Sequence, residues 1–209
     1  MTDEELPPDP LVIRKLDFVG GMAAADGWRP DLDLPEVAFA GRSNVGKSSL
    51  LNRLVRRKAF ARVSKTSGRT REINFFKVND RFILADLPGY GYAKVSKEQK
   101  ADWRPLIEGY LGRTPTLAGV VLLLDIRRDP NEDDVAMLDF LAEIEVPTVV
   151  VLTKIDKLAR HVAIERTDEI MKSLSLTREQ TIPFSSISGE GRSELAEALV
   201  SLVDAARPA

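Results

Sequence analysis

Eight residues, Gly41-Arg42-Ser43-Asn44-Val45-Gly46-Lys47-Ser48, limit what this chain can fold into more than any other stretch. The two glycines let the backbone pass close to an anion without a Cβ in the way, and the N–H groups between them can turn inward as a nest. Lys47 adds a positive charge. Ser48 offers a hydroxyl to Mg²⁺ where a helix would begin and present the positive end of its dipole. Such a loop needs a buried strand in front and an amphipathic helix behind. The chain supplies Glu36-Val37-Ala38-Phe39-Ala40 before it and Leu50, Leu51 and Leu54 after it. The pattern implies an α/β fold and a nucleoside triphosphate as ligand.

Beyond that loop the chain alternates regularly. Runs rich in β-branched and aromatic residues predict strands over 37–40, 73–78, 82–86, 120–125, 148–153 and 181–185. Apolar residues at three- and four-residue spacing predict helices over 47–57, 97–111, 132–143, 162–173 and 193–205, the last with a stripe of Leu195, Leu199 and Leu202. Only Asn79-Asp80-Arg81 separates the second and third strands, so that pair should be antiparallel, while the other connections read as βαβ crossovers. The expected architecture is a six-stranded, mostly parallel sheet with one antiparallel edge strand and helices on both faces. Residues 1–10 read as a flexible acidic tail and 11–36 as a lead-in, with an extended or edge segment from Leu11 to Phe18 and a glycine-rich loop from Gly20 to Gly27. Residues 37–205 read as the nucleotide-binding domain.

Composition bounds this picture. The 209 residues, 44% of them hydrophobic, suit one domain with one sizeable core. With no cysteine, disulfides, thiolate metal sites and thiol catalysis are excluded. The acidic, proline-rich start is unlike a signal peptide, and the longest apolar runs are strand-length, so a cytoplasmic protein without a membrane partner is expected. Net charge is only −2, yet Arg53, Arg56, Arg57, Lys58, Arg62, Lys65, Arg69 and Arg71 fall in one stretch without an acidic residue. That run is either a solvated face or a phosphate-binding one.

Further motifs fall at predicted strand ends, where ligands of such sheets bind. Asp86-Leu87-Pro88-Gly89 puts a carboxylate that can hold Mg²⁺ through water beside a glycine N–H that can meet a γ-phosphate. Thr153-Lys154-Ile155-Asp156 offers a carboxylate acceptor for the N1–H and exocyclic amine of guanine, which adenine lacks, so Asp156 should select GTP over ATP. Lys154 can lie along the base plane. The turn Ser185-Ser186-Ile187 can present a backbone N–H to the guanine carbonyl. Between the first helix and second strand, the polar loop 64–71 can order over Mg²⁺ when a γ-phosphate is present, with Thr70 or Thr66 as ligand; spacing does not separate the two.

With these elements in order, the chain resembles the small translation-factor-type GTPases, and most closely the EngB family, also called YihA or YsxC. The resemblance runs from Val37 to Leu202. Its marks are Ala38 to Ser49, Gly68-Arg69-Thr70 followed by Ile73-Asn74-Phe75-Phe76, and Asp86-Leu87-Pro88-Gly89-Tyr90-Gly91-Tyr92-Ala93. It implies a Ras-like P-loop GTPase fold and GTP or GDP contacts from Gly41, Arg42, Ser43, Asn44, Val45, Gly46, Lys47 and Ser48. Further implied contacts are Gly68, Arg69, Thr70, Arg71 and Glu72; Asp86, Leu87, Pro88 and Gly89; Thr153, Lys154, Ile155 and Asp156; and Ser185, Ser186 and Ile187. It favours Thr70 over Thr66, giving Ser48 and Thr70 as Mg²⁺ ligands and Lys47, Thr70 and Gly89 as the catalytic set. It also implies a monomer that acts in assembly of the large ribosomal subunit, on that subunit or its precursor (rRNA and ribosomal proteins), and is needed for normal division and septation. DNA is not an expected partner.

A Ras-type site has glutamine after the glycine to orient the attacking water, whereas this chain has Tyr90, so slow intrinsic hydrolysis is expected. Asn44 is a candidate for a K⁺ that would complete the site. His161 reads as a surface residue, and Trp103, Leu106, Ile107, Tyr110 and Leu111 as core. The competing reading is a GTP-dependent cell-division or signalling adaptor that binds a protein and not ribosomal RNA. A third, an ATP-using metabolic kinase, is disfavoured by Asp156.

Overall fold

A computed structural model describes residues 9–30, 33–56, 72–90 and 105–206. Its centre is a sheet of seven strands: β1 (Leu16–Met22), β2 (Glu36–Gly41), β3 (Ile73–Val78), β4 (Phe82–Asp86), β5 (Leu117–Asp125), β6 (Thr148–Thr153) and β7 (Thr181–Phe184), in the order β1-β3-β4-β2-β5-β6-β7. The helices are α1 (Lys47–Leu54), α2 (residues 105–111), α3 (Glu132–Glu143), α4 (Arg160–Ser173) and α5 (Arg192–Ala205).

Strand β2 sits at the centre and is buried along its whole length. Because successive side chains point to opposite faces, Val37 and Phe39 pack with Leu50, Leu51 and Leu54 of α1 and Leu195, Leu199 and Val203 of α5. Ala38 and Ala40 face the other way, toward Leu106, Ile107 and Tyr110 of α2 and Met137 and Leu141 of α3. Alanines there leave room for the large side chains of the helices. On the same face Ile170 of α4 covers Leu124, Val150 and Leu152.

The fold class is the expected one, but the sheet has seven strands and not six. The additional strand is β1, which pairs antiparallel with β3 and lies within the stretch read as lead-in and glycine loop. Its antiparallel partner β3 also pairs antiparallel with β4, so all antiparallel pairing is confined to this end of the sheet. Two features hid β1. Its register shifts between Phe18 and Gly20, which breaks the two-residue alternation, and Gly20 and Gly21 carry no side chain because the Trp28 ring and the Glu72 carboxylate pack against their backbone. Asp9, within the presumed tail, is anchored: its carboxylate takes two bonds from Arg192, at 2.8 and 3.0 Å, and lies 3.2 Å from Arg56.

Parallel registry brings strand ends together. Phe39 pairs with Asp86, Gly41 with Leu123, Asp125 with Thr153, and Thr153 with Phe184. The carboxyl ends of β2, β4, β5, β6 and β7 therefore form one rim. Among the described residues, no helix is long and apolar enough to cross a membrane.

Candidate functional site

At the centre of the rim the chain leaves β2 at Gly41 and enters α1 at Lys47. Gly46 caps the helix with φ 112°, a left-handed conformation that a Cβ disfavours, and Asn44 is also left-handed at φ 65°. Among the described residues no side chain caps α1, and its first turn holds no acidic residue, so its leading N–H groups have no side-chain acceptor there. The Ser48 hydroxyl makes no hydrogen bond among the described residues. Lys47 does have a partner: its ammonium is ion-paired with the Asp86 carboxylate, and both side chains are largely buried.

The Asp86–Gly89 turn is fastened to this loop. Leu87 N donates to Phe39 O at 3.1 Å, Ser43 N to Tyr90 O at 2.9 Å, Tyr90 N to Gly41 O at 3.3 Å, and the Ser43 hydroxyl to Gly89 O at 3.2 Å. The side chains of Val45, Leu87 and Ile155 belong to the core, so these positions have only backbone to offer a ligand.

Behind the loop, Thr153 is buried with its hydroxyl donating to Val45 O at 2.7 Å and lying 3.1 Å from Leu124 O. Its hydroxyl thereby holds the Gly41–Ser48 loop to β6. Lys154 adopts a left-handed φ of 66° and lies over the loop, its Nζ donating to Asn44 O at 2.7 Å and to Asp125 Oδ2 at 2.8 Å. Burial alone would raise the pKa of Asp125, but hydrogen bonds from Arg127 and Lys154 outweigh it and hold the carboxyl well below the usual range. Neither Asp125 nor Arg127 stood out in the sequence; the signal available was an acidic residue at the end of a buried strand.

Asp156 is the middle residue of a short 3-10 turn (Ile155–Lys157), with Oδ1 accepting from the Ser185 hydroxyl at 2.8 Å and Oδ2 lying 3.3 Å from Lys157 Nζ. Burial acts to raise its pKa, but these two partners lower it overall, so the group is an ionised acceptor near neutral pH. The Ser185 hydroxyl also accepts from Ile187 N at 3.2 Å and Ser188 N at 3.1 Å, while Ser185 N donates to Glu190 O at 3.0 Å. Of the three residues expected to face a base carbonyl, Ser186 is therefore the one whose N–H has no partner among the described residues. Ile187 is exposed.

Tyr90 points away from the rim. Its ring is buried, its hydroxyl donates to Asp134 Oδ1 at 3.0 Å, and burial with the neighbouring carboxylate keeps the phenol protonated. Asp134 caps α3 reciprocally with Asn131. The sequence signal for it was the capping pattern Asn131-x-x-Asp134. Glu72 lies at the start of β3 beside Gly21, while Thr66, Gly68, Arg69, Thr70, Arg71 and Trp103 lie outside the described residues. Leu106, Ile107, Tyr110 and Leu111 are core, and His161 is exposed at the start of α4, as expected.

The rim thus carries an uncapped helix start, a lysine, a free serine hydroxyl and a strand-end carboxylate, with an ionised aspartate and a free amide further along. Residues 36–154 match the family of 50S ribosome-binding GTPases. The chain is 63% identical over 193 residues to a probable GTP-binding protein EngB of Gemmatimonas aurantiaca, covering 92% of this chain and 95% of that one. A second probable EngB, from Citrifermentans bemidjiense, is 49% identical over 182 residues, 87% of this chain and 85% of that one.

The chain belongs to the EngB family.

A crystal structure of a probable GTP-binding protein EngB superposes with a TM-score of 0.69 at 26% identity, covering 81% of this chain and 99% of that one. As an EngB protein the chain is a GTPase with a Ras-like fold that binds GTP and GDP. The donor set fits the Mg²⁺ typical of such proteins. Ser48 and Asp86 are hard oxygen donors beside the loop, few enough to leave coordination positions for phosphate and water.

Proposed function

We propose that this protein is a slow, Mg²⁺-dependent GTP switch in assembly of the large ribosomal subunit, and that normal division and septation depend on it. The observation that carries the site assignment is the Asp156–Ser185 pair with the Ser186 amide beside it. An ionised acceptor and a free donor side by side match guanine, whose N1–H, amine and carbonyl lie along one edge. The phosphates would rest on the Gly41–Ser48 loop. Lys47 would exchange Asp86 for a phosphate oxygen, and Asp86 would then face the metal held by Ser48 and Thr70, neutralising charge as it develops on the β,γ-oxygens. Gly89 N–H would meet the γ-phosphate.

Slow hydrolysis follows from Tyr90. Its hydroxyl is engaged with Asp134, so no side chain at that position orients a water. A K⁺ at Asn44, whose side chain makes no hydrogen bond among the described residues, would supply the missing charge.

The ribosomal target is supported by the family description and by the basic run. Of that run, Arg53 donates to Ser188 O at 2.7 Å and Arg56 pairs with Asp9, so contacts to RNA phosphate would come from the residues between Arg57 and Arg71. The engagement of Arg53 and Arg56 with groups of this chain is the observation that favours the alternative, an adaptor docking on a protein. Co-sedimentation with large subunits and their precursors, loaded with GDP or a nonhydrolysable GTP analogue across a salt series, separates the two. Binding restricted to the GTP state and falling steeply with salt supports the assembly switch. Absence of binding in both states overturns it.

A further inference from the structure

We propose that Arg53, on the last turn of α1, is a positioning residue for guanine recognition: it fastens the base-facing turn to the helix that begins at the phosphate loop. The inference rests on the assignment of Asp156 and Ser186 to guanine. Arg53 NH2 donates to Ser188 O at 2.7 Å, joining the end of α1 to the turn that follows β7. Next to it, Gly189 has φ 89°, and a Cβ there would overlap the guanidinium, so the turn is shaped around this side chain. From the other side the same turn is held by Ser185, whose hydroxyl collects the amides of Ile187 and Ser188 and donates to Asp156. Gly189 N closes it on Ser185 O at 2.9 Å.

Ser186 therefore lies in a turn with two supports. Ser185 ties it to Asp156, which reads N1–H and the amine. Arg53 ties it to α1, whose first residues Lys47 and Ser48 face the phosphates. Without Arg53 the Ser185 contacts persist, Asp156 keeps its partner, and the Ser186 amide loses its fixed distance from the phosphate loop. The loss should fall on the contact to the base carbonyl and spare that to the amine.

The test uses the full chain and calorimetric titration with GDP, inosine diphosphate (lacking the amine) and 6-thioguanosine diphosphate, whose sulfur is a poor acceptor. Arg53→Met should weaken GDP binding about tenfold, the worth of a hydrogen bond from a charged donor. It should bring the ratio of GDP to 6-thioguanosine diphosphate affinity close to one while leaving the ratio of GDP to inosine diphosphate at its wild-type value. Arg53→Lys, which can still donate to Ser188 O, should recover most of the loss, and Gly189→Ala should reproduce Arg53→Met. Unchanged GDP binding in Arg53→Met, or a uniform loss with both ratios preserved, overturns the proposal. A wild-type protein that binds inosine diphosphate as tightly as GDP overturns instead the guanine assignment beneath it.

Discussion

Under the proposed assignment, with the base at β6 and β7 and the phosphates at β2 and β4, the two halves of the rim solve different problems. At the end of β6 and β7 the base half is already assembled: Asp156 is ionised, oriented by Ser185, and next to a free amide. At the end of β2 and β4 the phosphate half is self-neutralised, with Lys47 paired to Asp86, so on the proposed assignment it would exchange partners when a nucleotide and its metal arrive. The cause is charge density. A base presents neutral donors and acceptors that a fixed frame can anticipate. A triphosphate with Mg²⁺ brings large charges, and buried groups awaiting them need partners in the meantime. Preorganisation would then serve selectivity in one half, and exchange the proposed switch in the other.

The strongest way to break this comparison is Lys47→Ala. It removes the phosphate charge and leaves Asp86 buried without a cation, so turnover should fall by about a hundredfold or more, on the scale of losing a preorganised electrostatic contact. The ratio of GDP to inosine diphosphate affinity should stay put in titration, because the base half does not depend on Lys47. A changed ratio would show that the halves are not separate. Asp156→Asn should do the reverse, costing about a hundredfold in GDP affinity through lost charge-assisted bonds. Preference should shift toward xanthine nucleotides, whose carbonyl can accept from the new amide, and competition binding would read it.

Tyr90→Phe sharpens the account of hydrolysis. Deleting the phenol hydroxyl leaves buried Asp134 short of a donor and should lower stability by about 1 kcal/mol in denaturant unfolding. Turnover should hardly change, since the hydroxyl is not at the reacting phosphate.

The smallest effect concerns Asp125. Its folded pKa is depressed by Arg127 and Lys154, so its contribution to stability is complete above the unfolded carboxylate pKa and is lost as pH falls through the folded one. The stability gap between wild type and Asp125→Asn should therefore be widest near neutral pH and close in acid, as pH-dependent melting would report.

Both halves were legible in the sequence as motifs, because the residues proposed to meet the nucleotide are adjacent in the chain: Gly41 to Ser48, Asp86 to Gly89, Thr153 to Asp156. The roles within them were less legible. Thr153 has the spacing of a contact residue, but its hydroxyl turns inward to Val45, and Tyr90 stands where a water-orienting side chain is expected but packs against α3. In the fold, the strands rich in β-branched and aromatic residues were readable, while of β1 only the part up to Phe18 read as an extended or edge segment, because its glycines reflect what Trp28 and Glu72 press against them.

The sequence by itself determined the order of the other six strands and the helices between them, the Gly41–Ser48 loop with its lysine and serine, and the strand-end aspartate proposed to face guanine, since each rests on local periodicity or short spacing. Tertiary structure alone decided the seventh strand, the Lys47–Asp86 pair, the Asp125–Lys154 link and the reach of Arg53 to Ser188. All of these join residues far apart in the chain. Their hydrogen-bond partners are set by strand order and register, which emerge only when the sheet closes around its core.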